Sequence, residues 1–317
     1  MELSNFQQIY ESYLKENQFN GSPNNLYEPM NYIMGLGGKR IRPTLVLIGA
    51  HMTGVEIEKA LPLAHAIEVF HNFTLLHDDI MDNADLRRGK ETVHVKWDNP
   101  TAILAGDNML ILALEYLHSY QGPNKEVIIE IFLKTAREVC EGQQNDMDFG
   151  LRESVVSENE YLHMIEQKTA VLLGCSLQCG ALTGGISLEE SNDFYDLAIN
   201  MGLSFQMMDD YLDSFGDSFK TGKLQGGDIK EGKNTWLKIK SFEIDPVISS
   251  EFFKISPEER INKVVKHWKQ IQLDKLILEK AKMYQDKEYY LMNKIGSSGI
   301  NCSILKNLSA LLINRQY

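Results

Sequence analysis

Cysteine is scarce in this 317-residue chain, which holds four, at Cys140, Cys175, Cys179 and Cys302. So few thiols, spread so widely, do not make a disulfide framework. Cys175 and Cys179 share a helix face, yet no second Cys/His pair follows to complete a zinc site. All four are expected as buried thiols in a reducing cytoplasm. Proline is scarce as well, at 8 residues, and with 43% hydrophobic residues this excludes a disordered chain. Positive charge is in deficit, 32 Lys and Arg against 44 Asp and Glu for a net charge of −12. That balance argues against a nucleic-acid binder relying on a basic face. An anionic small substrate stays compatible if positive charge is gathered locally or supplied by a metal. Long apolar runs are missing too: none approaches the roughly 18 residues of a membrane span. The N-terminal "MELSNFQQIYESYLKENQ" has no basic start leading into an apolar core. Neither an integral membrane segment nor a signal peptide is expected.

What the chain does have is helical periodicity. "ALPLAHAIEVFHNFTLLHDDIMDNA", residues 60 to 84, repeats apolar residues at three- and four-residue steps without strand alternation. "TAILAGDNMLILALEYLHSY" and "ESNDFYDLAINMGLSFQMMDDYLDSFG" read the same way. Several such segments are apolar around most of their circumference, as helices buried inside a large bundle are. The breaks are short ("NGSPNN", "QGPNK", "GGIS") and rich in turn residues. No shift in composition marks a boundary. One all-α domain over residues 1–317 is the simplest account.

Two acid clusters share one spacing. Asp78, Asp79 and Asp82 in "LLHDDIMDNADLRRG" are matched by Asp209, Asp210 and Asp213 in "FQMMDDYLD". In a helix the first and fifth residues of such a cluster lie about 40° apart and roughly 6 Å along the axis. Their carboxylates can share cations, whereas the middle acid is turned away by about 100°. Oxygen ligands without His or Cys favour magnesium, which keeps waters and completes its shell from phosphates. A lone cluster of this kind is more often a solvated helix end. Two clusters, each following a strongly apolar run, would be costly without compensating cations.

Basic residues stand in matching places. "GLGGKRIRP" carries Lys39, Arg40 and Arg42, and Arg87 and Arg88 follow the first cluster. Lys168 and Thr169 of "EQKTA" lie in a largely apolar helix, where an unpaired lysine is unfavourable. The loop "GDSFKTGKLQGGDIKEGKNTW" adds Lys220, Lys223, Lys230 and Lys233. Part of it, "GDIKEGKN", mimics a nucleotide-binding P-loop, but Asn234 replaces the Ser/Thr and no strand precedes it. A lid that closes over a bound diphosphate fits the composition better.

With "GQQNDM" and "KTA", these motifs stand in the order of the trans-type isoprenyl diphosphate synthases (polyprenyl synthetases). The chain resembles that family over about residues 30 to 240. The resemblance implies a bundle of mostly antiparallel helices around a deep central cavity, usually as a homodimer. It implies that Asp78, Asp82 and Asp209 bind three magnesium ions gripping an allylic diphosphate (dimethylallyl, geranyl or farnesyl). Asp213 would support the second site, with Asp79 and Asp210 behind the ligands. Arg87, Lys168, Lys223 and Lys233 would contact the same diphosphate, with Thr169 and Gln206 near the reacting carbon. Lys39, Arg42, His71 and Arg88 would hold the diphosphate of isopentenyl diphosphate, and Gln143 and Asp146 match a supporting "GQxxD" element. The implied activity is prenyl transfer by ionisation, condensation and elimination.

The helix before Asp78 should line the growing tail. Thr74 lies on nearly the same face, about one turn deeper, with Phe73 beside it and Phe70 a turn further. The small Thr74 lets a tail pass, and Phe73 and Phe70 can form a floor. An aromatic residue five positions before the motif, with none at four, resembles the geranylgeranyl pattern of the family. Twenty carbons is the expected product length and fifteen the alternative. A protein that holds prenyl diphosphates without condensing them is the rival reading. The intact acids, Lys168 and Lys223 disfavour it.

Overall fold

The computed structural model describes residues 1–152, 154–216, 226–252 and 254–313. In chain order the helices are α1 (Leu3–Glu16), α2 (Asn24–Gly35), α3 (Ile41–Met52), α4 (Ile57–Met81), α5 (Val93–Lys96), α6 (Asn99–Ser119), α7 (Lys125–Leu151) and α8 (Glu158–Ile165). They continue with α9 (Val171–Leu182), α10 (Leu188–Phe215), α11 (Gly227–Glu231), α12 (Trp236–Ile244), α13 (Pro246–Phe252), α14 (Pro257–Gln270), α15 (Leu273–Gly296) and α16 (Ser303–Ile313). Between α8 and α9 the segment Glu166–Ala170 is a π-helix. The sheet among the described residues is one hairpin, β1 (Leu86–Arg87) with β2 (Lys90–Glu91). The fold is all-α, as the periodicity requires. None of the described helices is long and apolar enough to cross a membrane.

The helices form two compact units. Met1–Ile131 and Ser176–Asn192 make the first; Phe132–Cys175 and Asp193–Tyr317 make the second. In the first, α4 packs against α3 and α6, and residues 63 to 70 are all buried. Burial around the whole circumference leaves Glu68 without water, so its charge must be met inside the protein. Arg40 meets it, with Nη1 2.8 Å from Glu68, Nε 2.8 Å from Glu11 and Nη2 donating to the Met34 carbonyl.

In the second unit, α7 buries Phe132, Thr135, Val139 and Gln143, one stripe at three- and four-residue steps. Cys140 is turned about 100° from Val139 and is exposed, a correction to the expectation that all four thiols are buried. Cys175, Cys179 and Cys302 are buried, and none of the four cysteines is held in a disulfide.

The buried stripe of α15 is Leu273, Ile277, Ala281, Tyr284, Glu288, Met292 and Ile295, so a carboxyl sits in an otherwise apolar or aromatic row. Ser309 of α16 donates to Glu288 at 2.5 Å. Burial lifts the Glu288 carboxyl from 4.5 to about 7, against the opposing pull of Ser309 and Ser204. The folded chain therefore keeps a proton that the unfolded chain has released between those values. The stabilisation is complete below about pH 4.5 and is lost as the pH rises through about 7, a difference on the order of 3 kcal/mol. Glu288→Gln should flatten this fall and raise the melting temperature at alkaline pH. Thermal denaturation across that range checks it, and parallel curves for the two proteins would refute it.

Candidate active site

The first acid cluster closes α4. Asp82 is its C-cap, and its amide donates to the Asp78 carbonyl at 2.8 Å, so helical geometry reaches the fifth residue. Asp78 is half-buried and Asp82 exposed, whereas Asp79 is only 2% exposed. The buried acid is taken by Arg87: Nε lies 2.9 and 2.8 Å from the two Asp79 oxygens and Nη2 lies 2.7 Å from Oδ1. This fork is the strongest hydrogen-bonded form of a carboxylate–arginine pair. It separates the acids by role, with Asp79 fixing the chain that follows and Asp78 and Asp82 accessible from outside.

Arg87 and Arg88 lie on either side of a bend. Arg87 pairs with Lys90 across the hairpin, and the two residues between them, Arg88 and Gly89, both have positive φ (54° and 73°). That is the pattern of a two-residue type I′ turn. The turn sends the Arg88 side chain to Gly38, where a Cβ would lie 2.7 Å from the guanidinium carbon. A side chain at Gly38 would displace the guanidinium, and the φ of 129° strains any residue but glycine.

Around this contact the first unit gathers cations. Arg42 Nη1 lies 3.0 Å from His71 Nε2. A guanidinium can only donate, so Nε2 accepts and His71 is neutral with its proton on Nδ1. Burial first, then Arg42, Arg88, Arg87 and Arg40, hold the His71 pKa well below the usual histidine range. Burial lowers Arg42 to about 10, with Glu68 opposing and Arg88 adding to the fall. Arg42 Nε is buried and finds no hydrogen-bond partner among the described residues. Lys39 follows Gly38 on the same loop with its side chain exposed. Mutually repelling cations of this kind are stabilised by an anion with several oxygens. Arg40, between Lys39 and Arg42, adopts a left-handed φ of 47° and turns inward to Glu68.

The second cluster lies within α10 of the second unit. Asp209 and Asp213 are half-buried, and Asp210 is again the buried middle acid at 2% exposure. Asp210 accepts from the Tyr161 hydroxyl at 2.8 Å, Gln206 Nε2 at 3.0 Å and the Trp236 amide at 3.2 Å. Burial raises it to about 7 against the pull of these donors. Asp213 anchors the start of α11: its carbonyl accepts from the Gly226 amide at 2.7 Å and its carboxylate from the Asp228 amide at 3.2 Å. The P-loop mimic is the short helix α11, bounded by Gly226 and Gly232 in left-handed conformation, and among the described residues no strand leads into it. Lys233 Nζ lies 3.0 Å from Glu231 and 3.6 Å from Asp228. Lys220 and Lys223 lie outside the described residues.

Lys168 and Thr169 sit in the π-helix, both half-buried. Lys168 Nζ donates to Asp146 at 2.5 Å. Gln167 bridges back to α7, donating to Glu141 at 3.1 Å and accepting from Asn145 at 3.1 Å. A π-turn is strained and persists where neighbours hold it, which these contacts do for the lysine's turn. Gln143 is buried, and neither of its side-chain amide atoms has a partner among the described residues. Tyr161, Gln167 and Glu68 escaped the sequence reading, because each acts through a partner distant in the chain.

On α4, Phe70 and Phe73 are buried, and Thr74 Oγ1 donates to the His71 carbonyl at 2.8 Å. The two phenyl rings are 5.6 Å apart.

Among the described residues, no three His, Cys, Asp or Glu side chains form a ready-made cage for a cation. The donors that could hold one are hard carboxylate oxygens, a fit for magnesium, which takes much of its shell from water and phosphate.

Residues 23–270 match the family model described as polyprenyl synthetase. The chain belongs to the polyprenyl synthetase family. As a member it is a prenyltransferase. It is 43% identical, over 70% of this chain and 68% of the relative, to a geranylgeranyl diphosphate synthase of Methanosarcina mazei. A crystal structure of a geranylgeranyl pyrophosphate synthase superposes with a TM-score of 0.93 at 43% identity, covering 100% of both chains. A polyprenyl synthase of Caulobacter crescentus, solved with calcium and isoprenyl diphosphate, superposes with a TM-score of 0.86 at 25% identity over 99% of this chain and 97% of that one.

Proposed function

We propose that this prenyltransferase condenses isopentenyl diphosphate with an allylic diphosphate, dimethylallyl, geranyl or farnesyl, and that geranylgeranyl diphosphate, with twenty carbons, is its main product. The observation that carries the proposal is the repeated accessible–buried–accessible pattern of the acids, together with the cationic Arg42 and Arg88 beside neutral His71. The 43% identity to synthases of that name supports the product length. Asp78, Asp82, Asp209 and Asp213 are the proposed magnesium ligands, for three ions per site. Magnesium, when bound, supplies Lewis acidity toward the departing diphosphate.

The chain's own groups do the rest. Arg87, Lys168 and Lys233 bind the allylic diphosphate, and Lys223 is assigned to it by motif. Lys39, Arg42, His71 and Arg88 bind the second diphosphate. Neutral His71 presents its Nδ1–H as a donor and keeps Arg42 in place through Nε2. Ionisation breaks the allylic carbon–oxygen bond, and both electrons leave with the diphosphate. The alkene of isopentenyl diphosphate forms the new carbon–carbon bond, and the released diphosphate takes the proton that is lost. Thr169 and Gln206 stand near the reacting carbon, with the Gln206 amide oriented by Asp210. Apolar faces of the helices keep water from the cation.

The proposed unit of function is residues 1–317 as one domain, acting in the cytoplasm, where thiols outside disulfides persist. A second copy of the chain is the proposed partner. Helix α6 exposes Ile103, Leu104, Ile111 and Leu114, and Leu104 is 60% exposed. An apolar face of this kind suits an interface. Leu104→Glu should shift the protein from dimer to monomer in light scattering; an unchanged mass would remove this face from the interface.

Phe73→Ala tests the product assignment. Its main product with farnesyl diphosphate should be longer than the wild-type twenty-carbon chain. A wild-type product from geranyl diphosphate that stops at fifteen carbons would overturn the assignment, and an unchanged distribution in Phe73→Ala would overturn the floor.

A further inference from the structure

Phe73 does not stand alone on α4. His77 is four residues on, about 40° around the helix, while Thr74 and Asp78 form the neighbouring face. The imidazole of His77 meets the Phe73 ring edge-on, with centroids 4.8 Å apart and planes at 69°. Phe70 closes the other side of Phe73. The far side of the imidazole is lodged in a notch of α6 at Gly106. A Cβ at Gly106 would lie 2.3 Å from His77 Nε2 and 2.6 Å from Cδ2, distances no side chain tolerates. Nε2 lies 3.2 Å from the Ile103 carbonyl, which can only accept, so this nitrogen carries the proton. Asp107 Oδ1, at 3.9 Å, adds a favourable charge on the same side. The imidazole is thus pinned between a phenyl ring and helix backbone.

We infer that His77, seated at Gly106, is a specificity-determining brace that sets how far Phe73 can yield to a growing prenyl tail. The inference rests on the reading of Phe73 as the floor and adds what stops that floor from moving. A tail end pressing on Phe73 pushes its ring onto His77, and His77 has no room to retreat into α6. His77 is half-buried, and on the side that meets α6 close packing transmits the displacement, because that contact has no slack to absorb it. Removing the imidazole opens the notch, and the phenyl ring can rotate into it. Adding a methyl group at Gly106 does the reverse, forcing the imidazole off α6 and onto Phe73. The two changes should therefore move product length in opposite directions.

The test compares His77→Ala, Gly106→Ala, Phe73→Ala and the Phe73→Ala/His77→Ala double variant in full-length protein. Isopentenyl and farnesyl diphosphates with magnesium are the substrates, and product length is read by chromatography after dephosphorylation. Geranyl diphosphate serves as starter for Gly106→Ala, so that a shorter product can be seen. His77→Ala should lengthen the main product by one five-carbon unit, and Gly106→Ala should shift it toward fifteen carbons. In the Phe73→Ala background, His77→Ala should add nothing, since His77 acts through the missing ring. A general loss of stability lowers turnover without moving these ratios, so product length separates a brace from a structural role. If His77→Ala fails to fold, His77→Asn, which keeps a donor but loses the ring, takes its place. Unchanged lengths in His77 and Gly106 variants, with a longer product from Phe73→Ala, overturn the brace. An unchanged length in Phe73→Ala overturns the floor itself.

Discussion

Replacing Asp78 or Asp209 with alanine should lower magnesium-dependent condensation by on the order of a thousandfold or more, with the helical content unchanged. Both side chains are half-buried rather than enclosed, so their loss opens no closed cavity in the core. The middle acids should behave differently. Asp79→Ala strips the half-buried Arg87 fork of its buried acceptor, and Asp210→Ala leaves three donors without theirs. Those variants should lose stability along with activity, because unsatisfied buried groups cost about 1–3 kcal/mol each. Steady-state rates with circular dichroism and thermal melting distinguish the two classes. Near-normal turnover in Asp78→Ala or Asp209→Ala would refute the ligand assignment.

The pairing of acids was legible in the sequence because it depends on local geometry alone. The spacing fixes which carboxylates share a face, and burial of Asp79 and Asp210 follows from their position on the apolar side of the helix. The cationic residues were legible only as a group. Within "GGKRIRP", neighbours two apart serve different purposes: Arg42 reaches His71, while Arg40 is spent on Glu68 and Glu11. The left-handed turn at Arg40 makes that division, and no periodicity announces it. The same holds for Arg87 and Arg88, parted by a hairpin of two-residue strands too short to leave an alternating pattern. Contacts that join distant segments, Tyr161 to Asp210 and Gln167 to Glu141, had no signal within their own stretch of chain. Gly106 reads as an ordinary small residue in a helix until the imidazole seated on it is seen.

Arg40 carries the largest expected effect on stability. Its side chain is 2% exposed and its partner Glu68 is 3% exposed, at the fully buried middle of α4. Arg40→Ala abandons the Glu68 carboxylate there, and breaking a buried pair from one side costs about 3–5 kcal/mol. Arg40→Lys should recover only part of this, because one ammonium cannot reach Glu68, Glu11 and the Met34 carbonyl along three directions. The Arg40→Met/Glu68→Met pair should be less damaging than either single change, since it leaves neither member of the buried pair facing an empty partner site. Denaturant unfolding measures all three. A loss below about 1 kcal/mol in Arg40→Ala would place it among ordinary surface substitutions and contradict this role.

The central claim is that this chain joins two prenyl diphosphates through a magnesium-held leaving group. Purified protein given isopentenyl diphosphate and farnesyl diphosphate, with magnesium or with a chelator, tests it most directly through diphosphate release and product length. The expected result is equimolar diphosphate and geranylgeranyl diphosphate with magnesium, and neither with the chelator. Binding of both substrates with no condensation in magnesium, or undiminished turnover in the chelator, would contradict it.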